Sequence, residues 1–88
     1  MQAKYQQKLV NHLNRIEGQV RGLKKMVQSG TYCPDILTQS LAVENSLESF
    51  NGQMLENHLS EHVAHQFMHG QTKKAVEELL KIYKLANK

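Results

Sequence analysis

The chain has no tryptophan, one cysteine and one proline, and only three tyrosines and two phenylalanines among 88 residues. A lone cysteine excludes an intrachain disulfide framework and suits a reducing cytoplasm. With so little proline and aromatic content, and four methionines, packed helices fit better than a sandwich or barrel. No apolar run approaches the ~20 residues of a membrane span. Gln2 and Lys4 lead into no signal-like core, so a cytoplasmic location off the membrane is expected. At 40% hydrophobic content, one domain spanning residues 1–88 can fold but cannot bury a large core alone.

Positive charge is also missing from the middle of the chain. Residues 31–72 hold no lysine or arginine, only Asp35, Glu44, Glu48, Glu56 and Glu61. Residues 1–30 carry Lys4, Lys8, Arg15, Arg21, Lys24 and Lys25 against Glu17 alone, and residues 73–88 carry five lysines against Glu77 and Glu78. A basic first segment points to an anionic partner.

Apolar residues recur at Tyr5, Leu9, Leu13, Ile16, Val20, Leu23 and Val27, a heptad-like stripe that predicts a first helix. Lys4, Lys8, Arg15, Arg21 and Lys25 fall on its other side. Multiplied in an oligomer, they form a surface able to neutralise several phosphates. Gly30 is the expected left-handed cap. A second helix begins at Cys33-Pro34-Asp35, where proline suits the first turn and Asp35 complements the helix dipole. It runs to about His69, interrupted only by Asn51-Gly52. Its apolar residues form two stripes: Ile36, Val43, Leu47, Phe50 and Met54, then Leu37, Leu41, Leu55 and Leu59. Two stripes require two packing partners, and only oligomerisation supplies the second. After Gly70, Thr72 caps a short third helix with Val76, Leu79, Leu80 and Tyr83 on its apolar face. The expected fold is all-α: two long antiparallel helices and a short C-terminal one, dimerising into a four-helix bundle.

Cys33, His58 and His62 offer a thiol and an i, i+4 imidazole pair to a soft or borderline metal. On an unbroken helix Cys33 and His58 would lie ~37 Å apart at 1.5 Å per residue. They can share an ion only between antiparallel protomers. His65 and His69 continue the row, placing four histidines within roughly 60° of arc on one helical face. The run His58-Leu59-Ser60-Glu61-His62 also matches the inverted zinc-peptidase pattern. An 88-residue helical chain has no room for a substrate cleft, so an enzyme is not expected and Glu61 reads as a solvated residue. No zinc-finger spacing or helix-turn-helix is present. Any DNA contact would rest on the backbone and duplex shape.

Three stretches carry a resemblance. Leu13-Asn14-Arg15-Ile16-Glu17-Gly18-Gln19-Val20-Arg21-Gly22-Leu23, Tyr32-Cys33-Pro34-Asp35-Ile36-Leu37-Thr38-Gln39 and His58-Leu59-Ser60-Glu61-His62 resemble, in order, signatures of the copper-sensitive operon repressor family. That family also holds nickel/cobalt, formaldehyde and persulfide sensors. The resemblance implies an all-α homotetramer, a dimer of dimers, that holds operator DNA until its effector binds. It implies a site in which Cys33 of one protomer meets His58 and His62 of the other, with Tyr32 and Glu78 matching a pair associated with copper sensing.

Histidine at position 62 is the nickel/cobalt arrangement and also occurs in some copper-responsive members. The N-terminal histidine of nickel and cobalt sensors, the N-terminal proline of formaldehyde sensors and the second cysteine of persulfide sensors are absent. A low-coordinate thiolate/imidazole site suits Cu(I), which leads over Ni(II), Co(II) and Zn(II). Arg15 and Arg21 fall where the family's basic first-helix residues lie. Lys4, Lys8 and Lys25 join them from the charge pattern, and Ser49 replaces a second-helix arginine used by some members. The alternative from another class is a metal-storage or thiol-scavenging bundle without a DNA role.

Overall fold

The computed structural model describes residues 1–87, with helices α1 (Ala3–Gln28), α2 (Cys33–His58), α3 (Ala64–Met68) and α4 (Thr72–Ala86). A π-helical turn, Leu59–Val63, lies between α2 and α3. No strand occurs among the described residues. The chain forms two compact units, Met1–Leu55 and Glu56 onward.

In the first unit α1 ends as a Schellman cap. Gly30 N–H donates to the Val27 carbonyl and Thr31 N–H to the Met26 carbonyl, at 3.2 and 3.0 Å. Gly30 takes φ +69°, the left-handed geometry that glycine adopts without penalty. The Tyr32 carbonyl then receives the N–H groups of Asp35 and Ile36 at 2.9 and 3.3 Å, opening α2. The expected interruption at Asn51-Gly52 does not occur, because α2 passes through both residues.

Leu9, His12 and Ile16 of α1 and Val43 of α2 are buried. The His12 ring ties the two helices together. Its Nδ1–H donates to Gln53 Oε1 at 3.2 Å, and the ring meets Phe50 edge-on with centroids 6.1 Å apart. His12 and these partners lie similar distances along the chain from the Gly30 turn, as an antiparallel hairpin requires.

The α1 stripe is corrected by this packing. The covered positions are Tyr5, Leu9, His12, Ile16, Gln19, Leu23 and Met26, a strict 4-3-4-3 series. Leu13, Val20 and Val27, at 40%, 48% and 62% exposure, recur every seventh residue beside it. On α2 one stripe is covered at Ile36, Val43, Phe50 and Met54, while Leu37, Leu41, Leu55 and Leu59 stay exposed, and Leu47 joins the exposed set.

The second unit has Val63 and Ala75 as its buried apolar residues, together with the polar Asn57 and Gln66. A second Schellman cap closes α3. Gly70 at φ +71° donates to the Phe67 carbonyl at 3.4 Å and Gln71 to the Gln66 carbonyl at 2.7 Å. Thr72 does not cap α4. It is the first helical residue after Gln71, whose side chain makes no capping bond. Of the apolar face expected on α4, Leu79 is half-buried while Val76, Leu80 and Tyr83 are exposed; the small Ala75 packs inward instead.

The π turn sets the phase of this unit. Asn57 and Gln66 are nine positions apart, and in an uninterrupted α-helix they would point in opposite directions, about 180° apart. Closing i→i+5 bonds takes up roughly one residue, about 100°, and brings both toward one buried face. Ser60 Oγ donates to the Asn57 carbonyl at 3.2 Å, a side-chain bond of the kind that competes with the helical ladder.

Candidate metal centre

His58 closes α2 and leads into the π turn. Its side chain is largely covered, and Nε2 is shielded from solvent without a hydrogen bond. The nearest charge is Glu78 of α4, whose Oε2 stands 3.8 Å away. Gln66 Nε2 donates to that same oxygen at 3.2 Å, so Glu78 is held from one side while it faces His58. His62 lies in the π turn and is exposed. Its ring is 5.3 Å from that of His58, tilted by 37°.

The widened turn corrects the expected row of four histidines. Taking up about 100° between His58 and His65 carries His65 and His69 off the His58 face. The rings fall into two pairs: His58 with His62, and His65 with His69, the latter stacked at 4.0 Å. Glu61, expected to be solvated, is half-buried.

Cys33 is a free, exposed thiol on the first residue of α2, whereas His58 is the last. Tyr32 is 73% exposed and contributes its carbonyl to the start of α2. Among the described residues, no three Cys, His, Asp or Glu side chains of one chain gather into a metal site. The donors available to an ion are a soft thiol and two imidazoles. One imidazole nitrogen is sheltered without a hydrogen bond and faces a carboxylate. That chemistry fits a soft or borderline metal.

The basic residues occupy α1. Lys4, Lys8, Arg15, Arg21 and Lys25 are all exposed. Arg21 Nη1 reaches Glu17 Oε1 at 4.0 Å, with both side chains well exposed, a pairing worth little in water. Lys4 and Lys8 border a shallow depression with Gln2 and Tyr5.

Sequence reasoning missed His12, Asn57 and Gln66, all buried polar residues. His12 alone left a signal. The apolar series in α1 takes two consecutive steps of four at Tyr5, Leu9 and Leu13, and the heptad is restored only by passing through His12.

An all-helical chain with a basic first helix and a thiol/imidazole donor set defines a candidate metal-responsive DNA-binding protein. Residues 5–84 match the family described as "Metal-sensitive transcriptional repressor", and the chain belongs to that family. Its members are transcriptional repressors rather than enzymes. A copper-sensing transcriptional repressor CsoR of Bacillus subtilis is 39% identical over 93% of this chain and 81% of that protein. The Mycobacterium tuberculosis CsoR is 37% identical over 81% of this chain, which spans 60% of that relative. Among solved structures, the copper-sensing repressor CsoR with Cu(I) from Geobacillus thermodenitrificans superposes with a TM-score of 0.96 at 35% identity, covering 100% of this chain and 92% of that one. The nickel-responsive transcriptional regulator InrS gives 0.80 at 37% identity, covering 89% and 88%.

Proposed function

We propose that this protein is a cytoplasmic repressor that releases operator DNA on binding Cu(I). The observation that carries the metal reading is the sheltered Nε2 of His58 beside Glu78, with an exposed thiol at the other end of α2. Cys33 of one protomer and His58 and His62 of its partner would hold the ion, which supplies a bridge between the two. Glu78 orients His58 electrostatically, and Tyr32 stands next to the thiol in sequence. Ni(II), Co(II) and Zn(II) are the competing effectors. The nickel reading gains from His62, an imidazole where a second thiolate would favour Cu(I) more strongly.

The whole chain acts as one repressor domain in a homotetramer built from four-helix-bundle dimers. The exposed leucines of α2 and the Leu13, Val20 and Val27 row of α1 supply the apolar faces that such an assembly covers. Arg15, Arg21, Lys4, Lys8 and Lys25 contact phosphates and bring affinity that falls steeply with salt. Coupling of ~1–3 kcal/mol between the metal and DNA sites changes affinity 5–150-fold, enough to switch a promoter.

The test is anaerobic fluorescence anisotropy on the labelled promoter of the protein's own gene during Cu(I) addition. Release saturating near one copper per protomer is expected, and Cys33→Ala should bind DNA yet ignore copper. If Cys33→Ala still lets go at the same copper concentration, the proposed site is wrong. DNA binding that survives Cu(I) but yields to Ni(II) or Co(II) reassigns the effector. If Arg15→Ala leaves nucleic-acid affinity unchanged, a storage bundle without a DNA role gains instead.

A further inference from the structure

We infer that His65 and His69 form a second metal site, for borderline divalent ions such as Ni(II), Zn(II) or Cu(II), that works without Cys33. Both residues are exposed, and they stand one turn apart at the end of α3, with His69 as its C-cap. Their rings are stacked, centroids 4.0 Å apart and 28° from parallel. A divalent ion bound by two imidazoles at 2.0–2.1 Å needs the nitrogens roughly 3 Å apart. A small closing movement of two rings already on the same side provides that.

A second observation concerns the proton. His69 Nδ1 lies 2.9 Å from the His65 carbonyl oxygen, which can only accept, so Nδ1 carries the hydrogen. In the neutral ring the lone pair is then on Nε2. A backbone carbonyl holding the distal N–H of an imidazole is the arrangement that fixes tautomer and orientation in metal-bound histidines. The position at a helix C-terminus, the negative end of the dipole, adds a favourable field for a cation.

The ligand chemistry separates this site from the proposed copper site. Two imidazoles completed by water, with no thiolate, suit divalent Ni, Zn or Cu rather than Cu(I). The geometry separates them too. The 58/62 pair spans the π turn with rings 5.3 Å apart, whereas the 65/69 pair sits in regular α-helix and its cap and is already closer.

The experiment uses the full chain carrying Cys33→Ala and His58→Ala, which disables the proposed copper site, with Ni(II) and Zn(II) titrated against a chromophoric indicator. One divalent ion per protomer is expected to remain bound. Adding His65→Gln and His69→Gln should weaken that uptake by on the order of 10–100-fold, while far-UV circular dichroism stays unchanged because both side chains are exposed. In an otherwise unaltered chain the same two glutamines should leave Cu(I) binding intact. Absence of uptake in the disabled chain, or uptake indifferent to His65→Gln and His69→Gln, overturns the inference. So does loss of Cu(I) binding in the otherwise unaltered glutamine variant, because it makes these residues part of the first site.

Discussion

Replacing His12 tests whether the two long helices are joined by a specific polar contact or only by apolar packing. The ring is buried, donates to Gln53 and rests edge-on against Phe50. Truncation in His12→Ala removes one hydrogen bond, worth about 1 kcal/mol. It also opens a cavity in the hairpin, bringing the expected loss to roughly 2–3 kcal/mol. Gln53 is only half-buried, so its freed carbonyl can reach water and escapes the full desolvation penalty. His12→Leu retains most of the volume and should lose only about 1 kcal/mol. In a chain of this size each kcal/mol moves the midpoint by about 4–8 °C, so the two variants should melt well apart. Thermal unfolding followed by circular dichroism, at one fixed protein concentration because assembly adds to stability, gives the ranking. The decisive comparison is a double-mutant cycle with Gln53→Ala. A coupling of about 0.5–1.5 kcal/mol is expected, and strict additivity would refute the reasoning whatever the single variants do.

Two glycines should respond in opposite directions. Gly30→Ala forces a side chain into φ +69° and should cost about 1–2 kcal/mol, although a Cβ there meets nothing within 4 Å. Gly52→Ala, inside α2 with equally open space around it, should raise stability by about 0.4–1 kcal/mol, and the same melting assay reads both. Glu78→Gln retains shape but removes the charge 3.8 Å from His58. In competition with a Cu(I) chelator, affinity should fall on the order of 10–100-fold, and an unchanged affinity would release Glu78 from that role. Arg15→Ala should weaken binding to every DNA sequence alike and flatten the plot of log affinity against log salt, by ~0.9 for each phosphate that is no longer neutralised.

Helix positions and ends were largely legible in the chain. Gly30 and Gly70 marked both turns, because only a residue free at positive φ closes a Schellman cap cheaply. The π turn was not legible. Hydropathy reports which residues are apolar, not whether a carbonyl pairs four or five residues on, so the four histidines read as one row. Asn57 and Gln66 escaped for a related reason: polar residues are assigned outward unless something shows the carbonyls and carboxylates waiting for them. Gln66 is buried because Glu78, twelve residues later, accepts from it, a pairing that no local pattern encodes. The α1 stripe was read too generously. Leu13, Val20 and Val27 are apolar for a surface that one copy of the chain leaves uncovered. The candidate ligands Cys33, His58 and His62 were legible as residue types, while the sheltering of His58 was not.

The π turn also makes register a heritable property of this chain. A helix that carries one residue more than its hydrogen bonding needs tolerates substitution within the turn far better than a change of length. Loss of a single codon among residues 59–63 would let the ladder close as α-helix and swing His65, Gln66 and His69 by about 100° about the axis relative to His58. Gln66 would then be carried away from Glu78, and the carboxylate beside His58 would lose its anchor without any ligand having been mutated. Relatives that differ in length at this point are therefore expected to have rebuilt what lies behind their histidine, even where the ligands read the same.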